Sequence, residues 1–171
     1  MAIEIERKFL VVGDAWRGAA ERSARMVQAY LAGPMPGVPA APRCSVRVRV
    51  AGERAWLNLK SLQLGIARQE FEYPIPLDDA EALLALAGRR IEKIRHYVRV
   101  DAHVFEIDEF AGDNAGLIVA ELELGAVDEP FPRPAWLGRE VSALPRYYNV
   151  RLIDHPYAHW TPRERAGETS I

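Results

Sequence analysis

Hydrophobic and charged residues alternate through much of the chain, in segments of six to ten residues. The first segment, Ile3–Val11, reads IEIERKFLV, so that its isoleucines and Phe9 fall on one face and its glutamates and Lys8 on the other. Alternation with a period of two predicts a β-strand with two different faces. Similar segments follow as MVQAYL, SVRVRV, RAWLNLKSL, ARQEFEYPI, IEKIRHYVRV, VFEIDEF and LIVAELELG. About eight strands are therefore predicted.

Short turns join several of these strands. Ala51 and Gly52 separate SVRVRV from RAWLNLKSL, and the segments DAH and AGDNAG separate the last three strands. Connections this short allow neighbouring strands to run only in opposite directions. The pattern therefore favours an antiparallel sheet.

Three helices and one long loop are predicted between and after the strands. The first helix spans residues 15–23 with Asp14 as its N-cap, the second is LDDAEALLALAG ending at Gly88, and the third begins at Pro145. The segment AGPMPGVPAAPR, residues 32–43, is rich in proline and glycine and is predicted to be a loop. We expect a single domain over residues 1–160 and a flexible tail over residues 161–171.

The overall charge excludes some classes of partner. The formal net charge is −2 and the isoelectric point is near 6.1, whereas proteins that bind nucleic acid or membrane surfaces generally carry an excess of basic residues. There is no long apolar run typical of a membrane span and no signal peptide pattern at the start. The single cysteine, Cys44, excludes an internal disulfide. A cytoplasmic protein is expected, with no nucleic acid or membrane partner, and a homodimer is left open.

The charged faces of the strands allow two arrangements. In the common one, the apolar face forms the core and the charges lie in water. In the other, the sheet closes around its charged face and helices cover the apolar outer face, as in large barrels that enclose a ligand.

The distribution of sign favours the closed arrangement. Solvated faces usually mix acids with bases, because like charges that face each other repel. Here, residues two apart on one face carry the same sign: Glu4/Glu6, Glu70/Glu72, Glu106/Asp108 and Glu121/Glu123 are acidic, and Arg47/Arg49 and Lys93/Arg95 are basic. Paired carboxylates favour a cation and paired bases favour an anion. A polyphosphate that chelates a divalent metal ion supplies both.

The sequence resembles the CYTH proteins, or triphosphate tunnel metalloenzymes, through nearly its whole length. Glu4, Glu6 and Lys8 match the ExExK signature of that family, and the segments QAYL, RVR, LNLKS, RQEFEYPI, EKIRHYV, FEIDEF, AELEL and PRYYN follow in the family's order. The resemblance implies a predominantly β (α+β) fold, an eight-stranded antiparallel closed barrel whose charged interior forms a tunnel flanked by a few helices.

The resemblance also implies roles for individual residues. The residues expected to bind the phosphates are Arg47, Arg49, Lys60, Arg68, Lys93 and Arg95. The residues expected to hold Mg²⁺ or Mn²⁺ are Glu4, Glu6, Glu70, Glu72, Glu106, Asp108, Glu121 and Glu123. For Glu70 and Glu72, orientation of the basic residues is the alternative role. Lys8 and Tyr30 are expected near the scissile phosphate, and Lys8, crowded by cations, is expected to have a lowered pKa and to help move a proton. The four tryptophans are expected to pack on the outside of the barrel.

The expected activity is metal-dependent hydrolysis of the terminal phosphoanhydride bond of inorganic tripolyphosphate. Thiamine triphosphate is an alternative substrate. An adenylyl cyclase of the class IV type and a non-catalytic polyphosphate-binding protein remain alternative functions, which product analysis with ATP and a binding assay would distinguish.

Overall fold

The chain folds into a closed antiparallel barrel with a few short helices. The computed structural model describes residues 3–32, 44–61 and 66–168. Within these ranges the strands are β1 (Ile3–Val11), β2 (Ala20–Ala32), β3 (Cys44–Ala51), β4 (Arg54–Ser61), β5 (Ala67–Ile75), β6 (Arg90–Val100), β7 (His103–Phe110), β8 (Ile118–Leu124) and β9 (Leu137–Glu140). The helices are α1 (Leu77–Ala87), α2 (Asn149–Asp154) and α3 (Pro162–Arg165), with 3₁₀ turns at Arg17–Ala19, Gly112–Asn114, Pro145–Tyr147 and Tyr157–His159.

Strand β1 closes the barrel because it pairs on both sides. The strands lie in the order β5, β4, β3, β2, β6, β7, β8, β1, and the start of β1 also pairs with β5, with Glu4 opposite Arg68. The short strand β9 extends the same edge of β1 beyond β5, with Glu140 opposite Phe9. The predicted eight-stranded antiparallel closed barrel is confirmed, with β9 as an additional strand.

The outer, apolar face of the barrel forms the main core. Four strands each contribute a fully buried residue that points outward: Phe9, Val98, Phe105 and Leu122. Trp16, from the segment before β2, is fully buried in the same cluster. Helix α1 covers a separate part of the outer face, where its Leu84 and Ala80 pack near Ala29, Val48 and Ala55. These contacts explain why the apolar residues of the alternating strands face outward.

One end of the barrel interior is apolar. Four strands each carry an apolar residue two positions from a charged residue of the interior face: Leu10, Ile91, Phe110 and Val119. These four residues form one hydrophobic cluster with the C-terminal segment, residues 141–168. The residues that this segment contributes are Val141, Tyr147, Leu152 and Trp160. The C-terminal segment therefore packs against this end of the barrel, and the charged interior lies beyond it.

The predicted helix over residues 15–23 is wrong in extent. Only Arg17–Ala19 form a 3₁₀ turn, and β2 begins at Ala20. Ala20 and Arg22 pair with β6 opposite Val98 and Tyr97. The ladder hydrogen bonds to β6 thus override a local helix preference that depends on sequence neighbours alone.

The C-terminal segment contains more separate helical elements than the sequence predicted. The single helix predicted from Pro145 is divided into a 3₁₀ turn and α2 by Tyr148, whose backbone is extended. Helix α3 lies within the predicted tail, and Thr161 forms a capping box with Glu164. The hydroxyl of Tyr147 donates to the Glu164 carbonyl at 3.0 Å. Residues 169–171 lie outside the described residues.

The second predicted helix is found as α1. Helix α1 ends at Ala87, and Gly88 follows it with a φ of 76°, which suits glycine. The predicted loop over residues 32–43 lies, apart from the last residue of β2, outside the described residues. Within the described ranges, no helix combines the length and hydrophobicity needed to cross a membrane.

Candidate active site

The barrel interior contains a charged cavity of about 1030 Å³. Among the described residues, every predicted site residue except Asp108 lines it. These residues are Glu4, Glu6 and Lys8 on β1, Tyr30 on β2, Arg47 and Arg49 on β3, Lys60 on β4, Arg68, Glu70 and Glu72 on β5, Lys93 and Arg95 on β6, Glu106 on β7, and Glu121 and Glu123 on β8. The alternation places them all on the inner face because successive side chains of a strand point to opposite faces.

Lys8 lies between two carboxylates. Its Nζ is 2.7 Å from Glu6 Oε1 and also donates to Glu121, which lies directly opposite it on β8. Burial alone would lower the pKa of Lys8, but the carboxylates of Glu121 and Glu6 outweigh burial and hold the pKa above its ordinary value. The lowered pKa expected for Lys8 is therefore wrong, because its nearest neighbours are acids. In this arrangement Lys8 is a fixed positive charge.

Lys93 and Arg95 are held by Asp108. Arg95 donates to both oxygens of Asp108, at 2.7 and 2.6 Å, and Lys93 Nζ also donates to this carboxylate. Asp108 is fully buried and does not line the cavity with the other predicted metal ligands. It therefore lies behind the two basic residues and fixes their positions.

Lys93 differs from Lys8 in its electrostatic surroundings. Burial, and then the neighbouring charge of Arg95, lower the pKa of Lys93 to about 8 despite the contact with Asp108. Arg95 also contacts the carboxylates of Glu106 and Glu121. Lys93 is thus a cation that can lose its charge slightly above neutral pH.

Arg47 and Arg49 form a basic pair on β3. Arg49 donates to Glu72 at 2.6 Å, whereas Arg47 lies 3.8 Å from the nearest oxygen of Glu70. Burial and the adjacent guanidinium of Arg47 lower the pKa of Arg49 from its usual range. Such incompletely balanced positive charge favours an anionic ligand.

Tyr30 lies directly opposite Arg47 on the neighbouring strand. Burial raises the pKa of the Tyr30 phenol, although the charges of Arg47 and Lys8 oppose this. The phenol is therefore neutral at physiological pH and can act as a hydrogen-bond donor in the cavity.

The carboxylates at the start of β1 pair with bases from β4 and β5. Both oxygens of Glu4 accept from Lys60, at 3.0 and 2.9 Å, and Arg68 donates to Glu4 at 3.2 Å and to Glu6 at 2.7 Å. Among the described residues, no three acidic, histidine or cysteine side chains are grouped closely enough to hold a metal ion as they stand. A metal ion would therefore have to replace basic partners of these acids.

Glu123 supports a cation site near β1. It faces Glu6 across the β1–β8 ladder, and no ion pair to it is found in the described part of the chain. Partial burial and the nearby charges of Glu4 and Glu106 raise the pKa of Glu123. Crowded carboxylate oxygens of this kind fit a hard divalent cation, which would relieve their repulsion.

Several residues that line the cavity were not predicted from the sequence. They are Arg22, Ser45, Arg54, Trp56, Tyr97 and Arg151. The expectation that Trp56 packs outside the barrel is wrong: Arg54 and Arg49 lie 4.9 and 5.1 Å from its ring centroid. The alternation of β4 could have identified Trp56, because it is four residues from Lys60 and so shares its face.

The segment before α2 and the first turn of α2 form part of the cavity wall. Pro145, Tyr148, Asn149 and Arg151 line it, and the Arg68 guanidinium lies 5.6 Å from the Tyr148 ring centroid. The Tyr148 hydroxyl donates to the Ser142 carbonyl at 2.9 Å, which attaches this wall to the segment after β9. The wall is therefore fixed to the barrel at this point.

Comparisons with known proteins agree on the family. The model of the CYTH domain matches residues 2–152. An inorganic triphosphatase of Acetivibrio thermocellus is 38% identical over 162 residues, covering 94% of this chain and 99% of the relative. An inorganic triphosphatase of Nitrosomonas europaea is 35% identical over 153 residues, covering 87% of this chain and 95% of the relative. The crystal structure of the inorganic triphosphatase NE1496 matches with a TM-score of 0.61 and 33% identity, covering 90% of this chain and 95% of that one.

Proposed function

This chain belongs to the CYTH domain family, and on that premise we propose that it hydrolyses the terminal phosphoanhydride bond of inorganic tripolyphosphate with a divalent metal ion, Mg²⁺ or Mn²⁺. The observation that carries the proposal is the cavity itself, which is lined by arginines and lysines together with carboxylates from several strands of the barrel. The names of the two relatives support inorganic triphosphate as the substrate.

The basic residues of the cavity would bind and orient the phosphates. Forked guanidinium groups match phosphate oxygens in pairs, and the ammonium groups act as point charges. The proposed phosphate-binding residues are Arg47, Arg49, Lys60, Arg68, Lys93 and Arg95. Because Asp108 holds Lys93 and Arg95 in place before the substrate arrives, these two bases can stabilise charge that builds on the phosphate oxygens during bond cleavage.

The carboxylates Glu4, Glu6 and Glu123 would hold the metal ion, with Glu70, Glu72, Glu106 and Glu121 as further proposed ligands. A bound divalent ion supplies charge neutralisation of the phosphates and a water of lowered pKa. Glu4 and Glu6 would then release Lys60 and Arg68, which become available to phosphate oxygens.

Lys8 would act as a charged donor and not as a base. Its two carboxylate neighbours keep it protonated at neutral pH. In the proposed reaction it donates a hydrogen bond to the phosphate undergoing attack, near the neutral hydroxyl of Tyr30.

The test is phosphate release by the purified protein from tripolyphosphate, thiamine triphosphate and ATP, each with Mg²⁺, Mn²⁺ or a chelator. Release from tripolyphosphate that disappears with chelator is the expected result. The variant Glu4→Gln should lose most of this activity, whereas Glu81→Gln, an exposed position on α1, serves as its matched control. Metal-dependent turnover that survives in Glu4→Gln would contradict the metal-site proposal, and formation of cyclic AMP from ATP without phosphate release would indicate a cyclase.

A further inference from the structure

Two buried amides lie on either side of the arginine strand β3. Gln28 on β2 is directly opposite Arg49, and Asn58 on β4 is directly opposite Arg47. Both amide side chains are fully buried. Neither is among the described residues that line the cavity, so any effect of these amides on a ligand must pass through their neighbours.

The orientation of the Asn58 amide follows from its contacts. Its Nδ2 donates to Glu70 Oε1 at 3.1 Å and to Glu72 Oε2 at 2.6 Å. Ionised carboxylates only accept hydrogen bonds, so the amino group must face them and the carbonyl oxygen must face away. This Oδ1 is buried without a hydrogen-bond partner among the described residues.

Asn58 therefore contacts the two acids that lie beside the arginines of β3. Glu72 accepts from Arg49 at 2.6 Å, and Glu70 lies 3.8 Å from Arg47. A neutral amide with two donor hydrogens can hold two neighbouring carboxylates together, because it offsets part of their repulsion without adding charge.

Gln28 lies on the other side of β3, and its amide differs from that of Asn58 in its hydrogen bonds. Within the described residues, neither its Oε1 nor its Nε2 has a hydrogen-bond partner, and the Nε atoms of Arg47 and Arg49 are also buried without one. An unpaired buried polar group destabilises a protein, so these four atoms require a partner other than the described side chains and backbone. Here unpaired amide oxygens and unpaired guanidinium donors lie on adjacent strands.

We propose that Gln28 and Asn58 are positioning residues that orient Arg47 and Arg49 toward the substrate phosphates. An amide oxygen is the acceptor that a guanidinium Nε–H group needs. A guanidinium held at Nε keeps its two terminal nitrogens free for phosphate oxygens. The inference rests on the proposed function, in which these arginines bind tripolyphosphate.

The variant Gln28→Met tests the inference, because methionine keeps the length of the side chain and removes both polar atoms. Since the amide has no hydrogen-bond partner among the described residues, the melting temperature should stay constant or rise. The KM for tripolyphosphate with Mg²⁺ should rise about tenfold, with kcat changed less than about twofold. Arg25→Met, on the exposed outer face of the same strand, is the control. An unchanged KM would overturn the role of Gln28, and so would a lowered melting temperature with unchanged kinetics.

A second pair of variants tests Asn58. Asn58→Thr and Asn58→Val have the same shape, but only threonine retains a donor for the carboxylates of Glu70 and Glu72. The KM should rise less in the threonine variant than in the valine variant, whereas equal KM values would refute the role of Asn58.

Calorimetric titration of wild type with tripolyphosphate and Mg²⁺ separates this inference from the proposed function. If the wild type binds tripolyphosphate without hydrolysing it, the proposed hydrolase function fails, and the Kd of Gln28→Met still measures positioning. A weaker Kd in that variant would then support the inference. A wild type that neither binds nor hydrolyses tripolyphosphate would overturn both.

Discussion

The substitution Asp108→Asn distinguishes a carboxylate that fixes two bases from one that binds metal. Asp108 is fully buried and contacts Lys93 and Arg95, whose side chains are themselves 2% and 8% exposed. Removing one partner of a buried ion pair generally costs about 3–5 kcal/mol, because the remaining charge is left without compensation. Two features of the site reduce this penalty.

The first feature is that Arg95 retains other partners, since it also contacts Glu106 and Glu121. The second is that Lys93 can become neutral. Its pKa is already lowered to about 8, so at pH 7.5 its deprotonation costs less than about 1 kcal/mol. We therefore expect a loss of about 2–3 kcal/mol of unfolding free energy. For a chain of this length the melting temperature should fall by about 4–12 °C.

Thermal unfolding and metal-dependent kinetics are the assays for this variant. We expect a weaker affinity for tripolyphosphate, because two bases lose their fixed positions, and an almost unchanged metal concentration for half-maximal activity. Glu81→Gln on the surface of α1 should change neither quantity. If Asp108→Asn instead raised the required metal concentration about tenfold or more at an unchanged melting temperature, Asp108 would be a metal ligand and the structural reasoning would be refuted.

Three further outcomes are expected. The pKa of Lys93 is about 8, so its charge is present below that value and is lost above it. We therefore expect kcat/KM for tripolyphosphate to fall above about pH 8. A Lys93→Arg variant stays charged and should not show this decline. Arg54→Ala should raise KM about fivefold by removing a cation at the cavity wall beside Trp56, whereas Arg25→Ala should leave KM unchanged. Thr161→Ala should lower the unfolding free energy by about 1 kcal/mol through loss of the capping box, with no effect on kcat in a phosphate-release assay.

Strand alternation predicted which side chains share a face, and this accounts for most of the site. A period of two is a local property, so Glu4, Glu6 and Lys8 could be assigned to one face from nine residues of sequence. That this face is interior followed from the segregation of charge, because like-charged pairs facing water would repel without benefit.

Properties that depend on cross-strand neighbours could not be predicted in this way. Lys8 was expected among cations, but the register brings it opposite Glu121, a residue more than one hundred positions away. Asp108 shares the interior parity of Glu106 but lies nearer the apolar end of the barrel, since alternation defines the face of a residue and not its depth. The helix predicted over residues 15–23 was wrong for a similar reason, because pairing of β2 with β6 determines the backbone there.

The pairing of acids with bases in the free protein bears on which ligand the cavity favours. Glu4 is neutralised by Lys60 and Arg68, and Glu6 by Lys8 and Arg68, so the charges of these two acids are compensated by neighbouring bases. A phosphate chain alone would have to draw the bases away and leave the acids unpaired, and a metal ion alone would leave the bases unpaired. A metal–triphosphate complex replaces both sets of partners at once, because its cation meets the carboxylates while its oxygens meet the arginines and lysines. The same ion pairs that stabilise the barrel interior therefore favour a ligand that carries both charges together.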